Sequence, residues 1–325
     1  MMPSIDATVV ICAYDMERWT DLRAAVDSVL AQSLQPREIV LVIDRNEPLL
    51  HRAQREFPDQ RVVANQRQPG ISGARNTGVE QASAEIMVFL DDDAIAEPAW
   101  LETLLAPYAD EAVLGVGGRV LPLWRFGRPS WFPAEFNWVV GCSYVGLPEA
   151  RTQVRNPIGA SLSARRSILD RLGGFDHSMG RVSADGHTRV SGTADETELC
   201  IRATRTWPGR YWLYEPAACV HHVVPRSRLS WRFFVGRCRM EGRAKALLTE
   251  IAGPNQSLRS ERRYVREVLP QGVRRGLSMA LGGDLTGASN AGAIVAGTAI
   301  TAAAYTRTRV SLMLRRSARR PGSCA

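Results

Sequence analysis

Three consecutive carboxylates, Asp91, Asp92 and Asp93, stand directly behind the apolar run EIMVFL. Acids held this close repel one another, and a divalent cation is the simplest partner that relieves the repulsion. Hard carboxylate oxygens suit Mg²⁺ or Mn²⁺, and an acid cluster with open coordination positions fits a cation shared with phosphate groups. A solvated acidic turn is the plain alternative, but it does not ask for a fully apolar strand in front of it. Two further polar groups occupy comparable places: Tyr14 after ATVVICA and Asp44 after EIVLVI. His221 and His222 follow a strand-like run and precede Val-Val-Pro. A histidine in such a place is more often structural than a ligand.

These residues need a frame to bring them together. Residues 7–13 and EIVLVID, ending at Asp44, are rich in β-branched residues and read as buried strands. Between them, Leu22, Val26, Val29 and Leu30 recur at helical spacing. A weaker strand is expected at residues 61–64. Pro69 and Gly70 mark a loop, Ser72 is the expected N-cap, and a helix runs to about Ala82. EIMVFL is the next strand. Pro98 suits the first turn of a helix reaching Tyr108, and AVLGVGGRV is strand again. Alternating strands and helices predict an α/β fold with a mostly parallel sheet covered on both faces. Ligands of such sheets bind beyond the carboxyl ends of the strands, where Tyr14, Asp44 and the aspartates converge.

The rest of the chain is less regular. Residues 121–160 carry Trp124, Trp131 and Trp138 among prolines and glycines. Core packing is the commoner use of such tryptophans, and stacking on a ligand ring is the other. Residues 161–172 read as a helix closed by Gly173 and Gly174. ADETELCIRATRTW reads as a helix with acids in its first turn, and YWLYEPAACVHHVV as strand. Residues 232–251 and 261–281 form basic helices. Residues 286–305 contain no charge and are mainly Ala, Gly and Thr.

Composition excludes several classes. The 325 residues are 45% hydrophobic and 23% charged, which rules out a disordered polymer, a collagen and a small disulfide scaffold. The length suits two domains, or one with an appendage. No basic and apolar leader opens the chain, so a secretory signal is not expected. Six scattered cysteines without a CxxC pair disfavour a zinc framework and suit a reducing compartment. The net charge of +8 hides an asymmetry: residues 226–325 hold 19 Lys and Arg against five acids, whereas the first 225 hold 22 bases and 28 acids. A basic tail meets an anionic membrane, nucleic acid or only water. No nucleic-acid module is visible, so nucleic acid is not expected as a partner.

Taken in order, VVICAYDMERW with LVID, GISGARNTG, VFLDDDA, GGFD and DETELCIR resemble the family-2 glycosyltransferases of the GT-A fold, over about residues 6–225. The resemblance implies a nucleotide-sugar-binding domain at 1–225, followed by a basic helical region at 226–325. It implies transfer of a sugar from a UDP-, GDP- or dTDP-sugar to a sugar or lipid-linked acceptor hydroxyl, with Mg²⁺ or Mn²⁺ as cofactor. Tyr14 and Glu17 match residues that flank the base. Asp44 matches the acid that binds the pyrimidine or ribose, and Arg75 an arginine near the donor phosphates. Asp91 and Asp93 fit the Asp-x-Asp positions. Asp93 would be a metal ligand together with Asp91, and Asp92 would join Asp91 on the donor. His222 matches a histidine that approaches the metal in some relatives. Cys12 stands where proline is usual.

The family's later motif, Glu-Asp-x-Asp-Leu, is here Asp195-Glu196-Thr197-Glu198-Leu199, each acid exchanged for the other kind. The usual base position falls on Glu196, with Asp195 as the alternative. Direct in-line displacement with inversion is implied. The absence of Gln-x-x-Arg-Trp implies a single addition rather than a polymerising synthase. Two other readings differ in class. Nucleotidyl transfer expects an amino-terminal Gly-rich basic signature that ICAYDMERW lacks, and a non-catalytic anchoring protein has no use for both acid clusters. The basic tail, with its uncharged stretch, predicts attachment to an anionic surface, hence a place in the cytoplasm or at the inner face of the cell membrane. Such a place suits an acceptor of cell-envelope biogenesis.

Overall fold

The computed structural model describes residues 6–179, 181–184, 187–190, 194–253 and 259–319. β1 (Ala7–Ala13), β2 (Glu38–Ile43), β3 (Arg61–Ala64) and β4 (Ile86–Asp91) pair in parallel in the order β3-β2-β1-β4. The sheet continues through β8 (Ser161–Arg165), β6 (Val113–Leu123), β11 (Tyr211–Val223) and β5 (Ala94–Ala96), with β7 (Thr152–Val154) also on β11. β8 runs antiparallel between β4 and β6, and β11 is parallel to β6. β9 (Arg181–Ala184) and β10 (His187–Val190) form a separate antiparallel pair. The mixed, mostly parallel sheet is the α/β fold expected, of GT-A type.

Both faces of the sheet are covered, because strand side chains alternate. On β1, Val9 and Ile11 join one apolar cluster with α1 (Trp19–Leu30), α2 (Glu47–Glu56) and α4 (Trp100–Leu105). Val10 joins the other, with α3 (Ile71–Gln81), α5 (Arg166–Leu172) and α6 (Asp195–Thr206). α3 lies so close that a side chain on Gly78 would meet Val10 Cγ1 at 2.4 Å.

Four local readings need correction. Residues 161–165 are strand, and only 166–172 are helical. The serines that blurred the strand pattern are buried and satisfied, Ser161 Oγ by Trp100 Nε1 at 2.9 Å and Ser163 Oγ by Tyr108 Oη at 2.8 Å. The N-cap of α3 is Gly70, whose φ of 108° favours glycine, and Ser72 is bonded elsewhere. α4 starts after Pro98, at Trp100, and gives way to a 3₁₀ turn from Ala106. The sequence reading also missed α2, which Asn46 caps through Leu49 N at 3.0 Å.

Beyond Pro225 lie α7 (Trp231–Ala252), α8 (Arg259–Arg263), a π turn (Tyr264–Val268), α9 (Leu269–Leu281) and α10 (Leu285–Arg319). Phe234 of α7, Leu269 of α9 and Ile294 of α10 share a buried cluster with Phe132 and Phe136. Arg275 pairs with the buried Glu135 at 2.6 Å, fastening the helices to the loop-rich segment. Trp131 packs edge-on against Trp231 and Phe234, and Trp124 against Phe132. No helix among the described residues is long and apolar enough to cross a membrane.

Candidate active site

Register brings the polar clusters to one level. Cys12 pairs with Val42 on one side and Asp91 on the other, so β1, β2 and β4 release Tyr14, Asp44 and the three aspartates side by side. β11 closes the group: His222 lies opposite Ala94, and Val223 N donates to Asp93 O at 2.8 Å. The turn after the apolar strand is therefore clamped between two sheet neighbours. These residues line an open cleft of about 2400 Å³, whose far wall comes from α7, the π turn and α10.

One carboxylate oxygen each of Asp91 and Asp93, and a ring nitrogen of His222, lie within 4.8 Å of one another. Asp93 Oδ1 is 3.1 Å from His222 Nε2, and the Nδ1 edge of the same ring faces Cys142. Asp92 Oδ2 is buried with no hydrogen-bond partner among the described residues. Two hard carboxylates and one imidazole with an orphaned acid beside them form a donor set that fits Mg²⁺ or Mn²⁺. Burial would raise Asp93, but His222, Arg18 and Arg228 outweigh it and hold the carboxyl well below the usual range. Burial, helped by Asp93 and Asp91, pushes Asp92 up to about 7 against the pull of Arg18. Burial would lower His222, but Asp93 raises it to about 10. A cation taking Nε2 would have to displace that proton, since a ligating imidazole is neutral.

A second cluster joins the metal group to the later acids. Arg75 is 5% exposed and bridges Asp195 Oδ2 at 3.3 Å and Asp91 Oδ1 at 3.5 Å, with Nη2 also donating to Gly159 O at 3.2 Å. Ser72 donates to the same Asp195 oxygen at 3.1 Å. Thus Arg75, expected on the donor phosphates, has protein carboxylates on two of its nitrogens. Glu196 follows on the first turn of α6, half-buried on the cleft wall. Burial, then the charge of Asp195, raises its carboxyl well above the usual range. A side chain at Gly159 would sit 2.9 Å from Arg75 Nη2 and 3.5 Å from Glu196 Cδ, so the glycine leaves that corner open.

At the other end of the cleft, Asp44 accepts from Asn65 Nδ2 at 2.7 Å and from Gly70 N at 2.8 Å, fixing the loop that starts α3. Tyr14 and Glu17 are exposed on the rim. The sequence reading missed Arg18 and Arg228. Arg18 Nη1 is 3.0 Å from Asp92 Oδ1, its Nη2 pairs with Asp93, and Arg228 lies 3.7 Å from Asp93. Arg18 shares a loop with Tyr14 and Glu17, which was the available signal; Arg228 had none. The neighbouring His221 points the other way, pairing with Glu97 at 3.0 Å beside Cys219.

The glycosyl transferase family 2 sequence model matches residues 8–173, which carry β1 through the aspartate turn and on into α5. The chain belongs to glycosyl transferase family 2. It is a glycosyltransferase. Among the relatives of this family, the glucosyl-dolichyl phosphate glucuronosyltransferase of Haloferax volcanii is 36% identical over 245 residues, which is 74% of this chain and 76% of that one. Polypeptide N-acetylgalactosaminyltransferase 3 of Mus musculus is 29% identical over 203 residues, 54% of this chain, and the match spans about a third of its length, 32%. Two solved structures share the fold at 19% identity. The mannosyltransferase PcManGT of Pyrobaculum calidifontis, in complex with GDP-Man and Mn²⁺, has a TM-score of 0.56 and coverage of 95% of this chain and 86% of that one. GalNAc-T7 with UDP, GalNAc and Mn²⁺ has a TM-score of 0.50, with 67% of this chain and 43% of that one covered.

Proposed function

We propose that this family-2 enzyme moves one sugar from a nucleotide-sugar donor to a hydroxyl of a lipid-linked sugar acceptor, with inversion. The observation that carries the reading is the bridge through Arg75, which ties the Asp91 side of the aspartate cluster to the acid pair on α6 across one cleft. Asp91, Asp93 and His222 would hold Mg²⁺ or Mn²⁺, which when bound neutralises the diphosphate leaving group. Tyr14 and Glu17 would flank the nucleobase, and Asp44 would receive the ribose or base. Asp92 and Arg75 would lie toward the donor phosphates, with Arg75 acting chiefly by setting Asp91 and Asp195.

Glu196 is the general base of this reading. Its carboxylate takes the proton of the acceptor hydroxyl as the oxygen forms its bond to the anomeric carbon. The bond from that carbon to the phosphate oxygen breaks on the opposite face, and nucleoside diphosphate leaves. A single acid on the acceptor side needs no covalent intermediate. The Haloferax relative is named for acting on glucosyl-dolichyl phosphate, which supports a lipid-linked acceptor here; the UDP and GDP-Man named in the solved structures support a nucleotide-sugar donor.

Residues 1–225 would serve the donor and the chemistry, and residues 226–325 the acceptor side and the cytoplasmic face of the membrane. Leu281 and Leu285, at the turn between α9 and α10, are 91% and 80% exposed. Val310, Met313 and Leu314 are exposed further along α10, among the bases of the tail. That pattern supports attachment to an anionic leaflet rather than a span.

The test incubates the purified chain with UDP-, GDP- and dTDP-sugars, Mn²⁺ or Mg²⁺, and polyprenyl-phosphate-linked monosaccharides. One donor should yield a product extended by one sugar, with inverted anomeric configuration by NMR. Transfer with retained configuration, or onto no lipid-linked acceptor while free sugars react, overturns the reading.

A further inference from the structure

Arg18 ends the short 3₁₀ turn Met16–Arg18 between β1 and α1. Its backbone is fixed: Asp15 caps Glu17 N at 2.9 Å, Arg18 N donates to Asp15 O, and Trp19 behind it is buried. Its side chain lines the cleft beside Tyr14. In this structure the guanidinium spans two of the three aspartates, Asp92 Oδ1 at 3.0 Å and Asp93 Oδ2. Asp93 also faces His222 at 3.1 Å and Arg228 at 3.7 Å. The carboxylate proposed to bind a divalent cation is therefore already flanked by two guanidinium groups and the His222 ring.

We propose that Arg18 is a displaceable counter-cation that couples metal binding to donor binding. A divalent ion and a guanidinium cannot both crowd Asp93, because like charges at that distance repel strongly. Metal alone takes Asp93 from Arg18 and leaves the guanidinium only its pair with Asp92. Metal arriving with a nucleoside diphosphate gives the guanidinium an anion suited to its planar fork. Arg18 would thus leave the aspartates for the diphosphate, so that cation and nucleotide bind better together than apart. It acts as a positioning residue for the metal carboxylates and, once turned, as a contact to the leaving group. This inference rests on the metal reading of Asp91, Asp93 and His222.

The experiment uses the full chain as wild type, Arg18→Met, Arg18→Lys and Asp93→Asn, with folding checked by circular dichroism melts. Mn²⁺ binding is measured by calorimetry and by the electron paramagnetic resonance signal of free Mn²⁺, first alone, then with UDP or GDP. Arg18→Met should bind Mn²⁺ alone about tenfold more tightly than wild type, the scale of one lost competing ion pair. It should also lose most of the tightening that the diphosphate gives to wild type, and Arg18→Lys should keep part of it. A merely structural role would weaken Mn²⁺ binding, and relief of static repulsion alone would tighten it while leaving the diphosphate effect intact, a result that also overturns the inference. Equal or weaker Mn²⁺ binding by a folded Arg18→Met chain overturns the inference while leaving the metal site standing. Asp93→Asn binding Mn²⁺ as wild type does, or no Mn²⁺ binding by any chain with or without nucleotide, overturns the metal reading and this inference with it.

Discussion

Replacing Arg75 with methionine removes a buried charge that two carboxylates share on the cleft wall. The guanidinium lies 3.3 Å from Asp195 Oδ2 and 3.5 Å from Asp91 Oδ1, with Phe175 5.3 Å from its centre. At an effective dielectric of about 20, one pair at 3.3 Å is worth about 5 kcal/mol before the cost of desolvating both ions. Asp91 is 32% exposed on its side chain, so water screens that pair, and little is assigned to it. Asp195 is 3% exposed and would keep the Ser72 hydroxyl and the neighbouring Glu196 carboxyl but no opposite charge from this bridge. Leaving a buried ion unpaired costs about 3–5 kcal/mol, and that is the expected loss for Arg75→Met. Asp195→Asn should cost less, because the amide still accepts from Ser72 and Arg75 keeps Asp91. The double variant should then recover at least about 2 kcal/mol relative to the sum of the two single losses, as coupled buried neighbours do. Urea unfolding followed by tryptophan fluorescence at pH 7.5 reads all four chains. An Arg75→Met loss below about 1 kcal/mol, or strict additivity in the double variant, refutes the bridge as a source of stability.

Glu196→Gln should lower turnover by about 10²–10⁴-fold while leaving nucleotide binding unchanged by calorimetry. Because the Glu196 carboxyl is raised and a base must be ionised, wild-type kcat/KM should fall as pH drops through a value above the ordinary glutamate range, and Glu196→Gln should lose that inflection. The same shift carries a stability sign: ionised Glu196 is disfavoured in the folded chain, so Glu196→Gln should melt higher at pH 8, with the gap closing below about pH 4, where the unfolded carboxyl is protonated too. Chelation by EDTA, or Asp93→Ala, should reduce transfer by about 10³-fold or more with the fold intact by circular dichroism; full activity in excess EDTA would remove the cation from the reading. Leu281→Asp with Leu285→Asp should cut flotation with anionic liposomes by at least about tenfold, since each buried leucine contributes about 1.5–3 kcal/mol; unchanged flotation would place the contact elsewhere.

Much of the candidate site's placement was legible because strand ends are legible. An apolar β-branched run followed at once by polar residues fixes both the element and the edge where its last side chains emerge, and the register of Cys12 with Val42 and Asp91 puts three such edges in line. What stayed hidden depended on pairings without local pattern. β8 alternates serine with apolar residues, and only the distant Trp100 and Tyr108 make those serines acceptable inside a sheet. Arg18 and Arg228 are ordinary basic residues until the fold carries them to Asp93. The His221–His222 pair was ambiguous for a simple reason: strand alternation sends one ring to the aspartates and the other to Glu97, and sequence alone does not say which.

The exchanged acids of α6 gain a physical division of labour from their surroundings. Asp195 is short, buried, and held by Ser72 and Arg75, so its oxygen is committed to fixing α6 against α3. Glu196 is one methylene longer and stands on the cleft wall with a carboxyl that burial and the neighbouring charge make more basic. A pair whose members are placed so differently supports one anchor and one proton acceptor, since differing surroundings give two carboxyl groups different roles. The exchange of Glu-Asp for Asp-Glu is consistent with that division. The shorter acid suits the close contact with Arg75, and the longer one reaches outward over Gly159, where a side chain would otherwise stand 3.5 Å from its Cδ. If the base were Asp195 instead, proton abstraction would have to break an ion pair at 3.3 Å each turnover, and Asp195→Asn would then slow transfer more than Glu196→Gln does.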